Sequence, residues 1–370
     1  MKLQIGYDAK RIFHNRTGLG NFGRSLIRIL VNEAPTNSYH LFNPKPAQIA
    51  FSIASTPVVE HLPDSWIWKK LSGVWRQGPI RKQINQEKIQ LYHGLSGELP
   101  KGLEIPTIVS VHDLIFIKHP QLYSPIDVWI HKQKVKHAVK TATKIVAISQ
   151  ETKNDIVEYL GVDPAKIEVI YQGCDSQFSK ILPQDQKQQV LEKYGLPSQF
   201  ILNVGTLETR KNAKLLLQAL KETTDAIVLV GKRTAYTEEL EDYIQRNQMQ
   251  DRVYLIHNIE FSELPALYQS AEIFCYPSFS EGFGIPILEA LSSGTPVITT
   301  PGGCMQEAGG PHSVYINPLK PDELRAAVEQ IQQDSSFRDQ MIDRGKQHMT
   351  QFSDQVIAKQ WLKLYKEILS

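Results

Sequence analysis

Short runs rich in β-branched residues alternate with helical patterns along almost the whole chain, and few architectures accept that rhythm. A strand that yields to a helix before the next strand begins builds a parallel sheet with crossover helices, so an α/β fold is expected. The first half offers strands at residues 3–7, 39–43, 89–93, 107–111, 144–148 and 167–171. The pattern restarts at 200–204, 226–230, 253–256, 273–276, 297–300 and 314–316. At 370 residues the chain is longer than one core normally serves. The polar stretch 176–199, punctuated by Pro183, Gly195 and Pro197, is the expected boundary, giving domains over 1–180 and 181–353. A last helix over 354–370 carries Val356, Ile357, Trp361, Leu364, Tyr365 and Ile368 on one stripe; taken alone, it would cover the second sheet.

Composition narrows function by exclusion. With 41% hydrophobic and 22% charged residues and no low-complexity tract, this is an ordinary folded chain. No apolar run approaches the roughly 20 residues of a spanning helix. Met1-Lys2-Leu3-Gln4-Ile5-Gly6 leads into a strand with no room for a leader's apolar stretch, so a cytoplasmic location is expected. Cys174, Cys275 and Cys304 are odd in number and lack C-x-x-C spacing, which argues against a disulfide framework and a zinc site. The net charge of +2 conceals a division: residues 1–180 hold 23 Lys and Arg against 15 Asp and Glu, and the remainder is net −6. Either the halves meet different partners or charge has drifted without consequence. Nucleic acid is not an expected partner, because no recognition module accompanies the basic half.

Three motifs fall at strand C-termini, where open α/β sheets bind ligands. Gly205-Thr206-Leu207-Glu208-Thr209-Arg210-Lys211-Asn212 follows the strand 200–204 and precedes an apolar helix. Its amides, the fork of Arg210 and the compact charge of Lys211 suit a phosphate, although the P-loop order is absent. Glu281-Gly282-Phe283-Gly284-Ile285-Pro286-Ile287-Leu288-Glu289 sets two acids eight apart around a glycine turn. The turn leaves amides uncovered at a helix N-terminus near Gly284, and the flanking acids can grip a polyol from both sides. A sugar on a nucleotide diphosphate offers that combination. His112-Asp113 ends the strand 107–111, where an imidazole meets either a sugar hydroxyl or its own backbone. His93 ends a neighbouring strand and is expected to be buried and satisfied.

Two further segments are ambiguous. Gly18-Leu19-Gly20-Asn21-Phe22-Gly23 satisfies G-x-G-x-x-G but begins eleven positions after the first strand, and the next strand supplies no acid for a ribose. It is expected to be a loop feeding a helix over 21–31, its amides near a phosphate or acceptor sugar, or its glycines needed only for the turn. Residues 66–82 place Ile67, Trp68, Leu71, Val74 and Trp75 on one helical face, with Lys69, Lys70 and Arg76 opposite and Trp66 at the start. That pattern suits an anionic membrane surface or ordinary packing on a sheet. Lys132, Lys136 and Lys140 form a second basic face.

In order, these segments, with Tyr171-Gln172-Gly173-Cys174-Asp175 and Pro277-Ser278, make the chain resemble the family 4 retaining glycosyltransferases over nearly its whole length. The resemblance implies the GT-B fold: two Rossmann-like domains with parallel sheets facing across a deep interdomain cleft. The first would bind the acceptor and the second the donor, with the helix 354–370 crossing back to the first. It also implies the site. Glu281 would hold donor-sugar hydroxyls, helped by the amides of Gly282, Phe283, Gly284 and Ile285, and Glu289 would accept from the ribose. Arg210 and Lys211, beside Gly205, would neutralise the diphosphate. His112 would contact the sugar near its anomeric centre, and Gly18 and Gly20 would approach the β-phosphate or acceptor. No metal is implied, since fixed cations and a helix N-terminus take its place. The chain departs from the family at Thr206, where Arg is common, at Gln172-Gly173-Cys174-Asp175 in place of Asn-Gly-Val-Asp, and at His257, where glycine is frequent.

The expected activity is hexosyl transfer from a nucleotide sugar to a surface glycan or lipid-linked oligosaccharide, with anomeric configuration retained. The contexts of Val111-His112-Asp113-Leu114 and Arg210-Lys211-Asn212 favour GDP-mannose over a UDP-sugar. The alternatives are a nucleotide-sugar epimerase of the same fold and a non-catalytic nucleotide-sugar or glycan-binding protein.

Overall fold

The computed structural model describes residues 2–53 and 58–370. The chain forms two compact units, Met1–Gly173 with Ser353–Ser370, and Cys174–Phe352. The breaks therefore fall at Gly173 and Phe352, where the sequence suggested 180 and 353.

The first unit carries seven parallel strands: β1 (Gln4–Asp8), β2 (Ser38–Phe42), β3 (Val58–His61), β4 (Leu91–Gly94), β5 (Thr107–Val111), β6 (Lys144–Ala147) and β7 (Ile167–Val169). Their order is β3-β2-β1-β4-β5-β6-β7, with Ile5 opposite both Tyr39 and Leu91. The second unit carries β8 (Ile201–Val204), β9 (Ile227–Val230), β10 (Val253–Ile256), β11 (Ile273–Tyr276), β12 (Val297–Thr299) and β13 (Val314–Tyr315), ordered β10-β9-β8-β11-β12-β13 and all parallel. Ile201 lies opposite both Ile227 and Ile273. The inner strands are buried on both faces, which is why they read as near-continuous apolar runs. Each sheet reverses its order once, at β1/β4 and at β8/β11. Loops diverge there at the strand C-termini and open a crevice.

Helices cover both faces of the first sheet. On one, the helix Gly18–Glu33 packs through Leu26, Ile27 and Leu30 with the helix Asp354–Leu369, whose Ile357, Trp361 and Tyr365 are buried. On the other lie Trp75, Ile84 and the helix Pro125–Thr141. Fully burying such side chains contributes about 1.5–3 kcal/mol each. The C-terminal helix thus belongs to the first unit. His93 is buried as expected: Nδ1 meets the Tyr365 hydroxyl at 2.9 Å and Nε2 the Ser110 hydroxyl at 2.8 Å. Burial lowers its pKa to about 3.

The structure corrects three local readings. Strand β3 was not expected, because its Val-Val-Glu-His sequence lies at a half-exposed sheet edge and lacks a long apolar run. The glycine segment is not a loop ahead of residue 21: its helix starts at Gly18. Asn15 Oδ1 receives the amides of Thr17 at 2.8 Å and Gly20 at 3.2 Å, so a side chain from ahead of the helix satisfies one of its first-turn donors. Nor is 66–82 one helix. It divides into Trp66–Lys70 and Ser72–Trp75 at Leu71, whose φ and ψ of −102° and 39° leave the helical region, and after a turn through Gly78-Pro79 a separate helix, Arg81–Gln86, begins. Among the described residues, no helix is long and apolar enough to cross a membrane.

Candidate active site

The β8/β11 crevice of the second unit collects the basic loop and the first acid. Beyond β8, Gly205 adopts φ +154°, and a Cβ there would fall 2.9 Å from the Lys211 side chain. Glycine thus lets the lysine stem lie across the strand end. A short turn, Thr209–Lys211, presents both cations and ends at Asn212 in the left-handed region. The Asn212 side-chain amide donates to the carbonyls of Pro277 at 3.2 Å and Pro318 at 2.8 Å, fastening the loop to the segments after β11 and β13.

From that segment Glu281 returns between the cations. Its Oε1 accepts from Lys211 Nζ at 2.8 Å, the Tyr276 hydroxyl at 2.8 Å and Ser278 Oγ at 3.0 Å, and its Oε2 lies 2.8 Å from an Arg210 nitrogen. Burial alone would raise its pKa, but Lys211 and Arg210 overcome that and hold it at about 2. The carboxylate is ionised and its oxygens are engaged by protein donors. In the protein as it stands it pairs with both cations and fixes their positions. The cations differ too. Arg210 spans Glu281, Glu208 at 2.6 Å and the Ser280 carbonyl, so it clamps the two loops. Lys211 meets Glu281 and the Tyr276 hydroxyl at 2.5 Å, which leaves one of its three donors for an anion.

After Glu281 the chain turns through Gly284, at φ +105°, into the helix Ile285–Ser293. Gly282, Phe283, Gly284 and Ile285 thus sit at a helix N-terminus, where backbone dipoles favour negative charge. The Phe283 ring is buried edge-on to Phe352, with ring centres 5.8 Å apart, so the ring itself is turned into the core. Glu289 lies inside this helix and is buried, with Oε2 accepting from the Tyr268 hydroxyl at 2.8 Å. Burial, only partly offset by that bond and reinforced by Asp175, raises its pKa to about 7. One motif thus holds two acids in opposite environments, one locked in its charged form and one poised to titrate near neutrality.

His112, Gly18 and Gly20 belong to the first unit. His112 ends β5, with Nε2 2.8 Å from the Leu95 carbonyl and Nδ1 3.0 Å from the Gln172 amide nitrogen. Nε2 therefore carries the proton and Nδ1 accepts, so both ring nitrogens are hydrogen-bonded within the first unit. Burial lowers the pKa to about 4, so the ring is neutral at pH 7. A Cβ on Gly20 would fall 1.8 Å from the Asn15 carbonyl oxygen, so close helix–loop contact explains that glycine. The Gly20 amide is already taken by Asn15 and Thr17, whereas Gly18 is exposed. Sequence reasoning missed Tyr276, which reads as a core aromatic of β11, and noted Gln172 only as part of a family segment, without its contact to His112. Ser278 was noted only as part of a lead-in.

Residues 185–348 match the model of the family described as glycosyl transferases group 1, and residues 38–178 match glycosyltransferase family 4. An O-antigen chain mannosyltransferase B of Escherichia coli is 28% identical, over 98% of this chain and all of that protein. The O-antigen chain mannosyltransferase RfbU of Salmonella typhimurium is 28% identical, over 61% and 60% of the two chains. Among solved structures, Anabaena HepE in complex with UDP and glucose superposes with TM-score 0.75 at 17% identity, covering 99% of this chain and 100% of that one. A sucrose-phosphate synthase from Thermosynechococcus elongatus does so at 0.78 and 18%, covering 99% of each.

Proposed function

Because this chain belongs to the family 4 glycosyltransferases of GT-B fold, we propose that it moves a mannosyl group from GDP-mannose to a surface-glycan or lipid-linked acceptor, with anomeric configuration retained. The observation that carries the reading is Lys211, held between Glu281 and Tyr276 at the β8/β11 crevice with one donor to spare. Breaking the bond from the anomeric carbon to the diphosphate puts negative charge on the leaving group. A cation already fixed in place gains most from that charge at the transition state and pays no reorganisation. The helix N-terminus at Gly284 and Ile285 adds its dipole. With these fixed charges the reaction needs no metal, so a chelator leaves it unchanged. Glu281, the carboxylate at this crevice, is bound by Lys211 and Arg210 and is assigned no nucleophilic part, so the acceptor hydroxyl attacks the face the leaving group departs, giving its proton to the departing phosphate oxygen.

The two O-antigen mannosyltransferases support mannose as the sugar. HepE, solved with UDP and glucose, supports a UDP-sugar as the second reading. Incubation with GDP-mannose, UDP-glucose or ADP-glucose and a lipid-linked acceptor, followed by NMR of the new linkage, separates them. Conversion of the donor without acceptor into another nucleotide sugar points instead to an epimerase, and nucleotide binding without turnover to a binding protein.

We also infer a cytoplasmic location with peripheral membrane contact. Trp66 is 68% exposed beside exposed Ile67, Leu71 and Val74, and Lys69 and Lys70 share its helix. Trp68 is partly buried. Trp75 takes no part, being 1% exposed within the core, and Arg76 is paired with Asp8 at 2.6 Å and Glu98 at 3.2 Å. Sedimentation with anionic but not zwitterionic vesicles, lost in Trp66→Ala, tests this contact.

A further inference from the structure

The first unit has its own reversal point, between β1 and β4, and a cavity of about 420 Å³ opens there. Asp8, the last residue of β1, and Glu98, just beyond β4, form one wall with Arg76. Opposite, the helix Pro125–Thr141 contributes Trp129, Gln133 and His137, spaced one turn apart along a single face. Neither His112 nor the early glycines line this space.

Its chemistry selects a class of ligand. Arg76 lies 2.6 Å from Asp8 and 3.2 Å from Glu98, and Lys134 lies 3.1 Å from Glu98, while Lys101 adds a third cation to the lining. Both acids are thus already paired, and hydroxyls add to those pairs without breaking them, since each carboxylate oxygen keeps a further lone pair. Trp129 is 64% exposed and offers a flat apolar surface, of the kind on which the C–H face of a pyranose stacks. Gln133 supplies a donor and an acceptor beside it. Nε2 of His137 is buried without a partner, so turning the ring toward a ligand sacrifices no hydrogen bond at that atom. The volume lies within the range of small-molecule sites, about 300–1,000 Å³.

We propose that this cavity binds a neutral pyranose of the acceptor glycan, stacked on Trp129 and hydrogen-bonded by Asp8, Glu98 and Gln133. The assignment rests on the glycan-acceptor reading above. The test is saturation-transfer NMR on the full chain with methyl α-D-mannopyranoside and a mannotriose, using inorganic phosphate as competitor. Saturation of the sugar protons, reduced about tenfold in Trp129→Ala and partly restored in Trp129→Phe, supports the proposal. Undiminished saturation in Trp129→Ala, or displacement by millimolar phosphate, overturns it. Nucleotide-induced thermal shifts, measured alongside, report whether each variant is folded. Transfer assays keep the two claims apart. An unchanged acceptor KM in Trp129→Ala rejects the cavity and spares the enzyme. Trp129-dependent sugar binding with no transfer from any donor upholds the cavity as a sugar site and rejects the enzyme reading.

Discussion

Replacing Glu281 with Gln keeps the shape of the side chain and removes its charge, leaving Arg210 and Lys211 without their shared counterion in a buried setting. Holding a carboxyl at about 2 rather than 4.5 corresponds to about 3 kcal/mol favouring the ionised form in the folded state. Direct removal of one member of a buried ion pair costs about 3–5 kcal/mol, which agrees. Because the folded value is depressed, the contribution is complete above about pH 4.5 and disappears as pH falls through about 2. Glu281→Gln is therefore expected to melt roughly 6–12 °C below the parent at pH 7, taking 2–4 °C per kcal/mol for a unit of this size. The gap should narrow below pH 4.5 and close near pH 2. Differential scanning calorimetry of the full chain at pH 7, 4 and 3 measures it. Equal melting at pH 7, or a gap that persists unchanged into acid, would refute the ion-pair account.

Lys211→Ala should lower turnover by roughly 10²–10³-fold, by analogy with loss of one transition-state donor, in a transfer assay at saturating donor. Parental rates would remove the lysine from the chemistry. Glu289 has the opposite sign from Glu281. Its raised pKa favours the protonated form in the fold, a contribution complete below about pH 4.5 and lost as pH rises through about 7. Glu289→Gln should therefore match the parent at pH 4.5 and exceed it by up to about 3 kcal/mol at pH 8, as read by denaturant titration. Gly20→Ala drives a methyl into the Asn15 carbonyl and should cost about 1–3 kcal/mol, visible as a lower melting temperature.

The strands and the long helices were legible because double-sided burial demands apolar runs and a covering helix demands a stripe. What escaped depended on groups far apart in sequence. Asn15 caps a helix that its glycines disguised. Arg76 reads as the polar face of an amphipathic helix, yet pairs with Asp8, sixty-eight residues away. The site was read at the level of residue type: Arg210, Lys211 and Glu281 were singled out, but not that the acid serves the bases. Tyr276 alternates correctly for a buried strand, and nothing local announces that its hydroxyl reaches past the strand end. Glu281 and Glu289 look equivalent in a motif, and only their surroundings set them apart.

The route of the chain has a consequence for synthesis. Residues 174–352 interrupt the sequence of the first unit as an insertion, and Ser353–Ser370 completes that unit's core with Trp361 and Tyr365. A ribosome releases the beginning of the first unit early, yet that unit stays unfinished until this closing helix emerges. For most of translation, an apolar groove beside Leu26 and Leu30 faces the solvent, a natural hold for a chaperone. Stop codons that remove little more than the closing helix should then yield aggregates rather than a weakened enzyme.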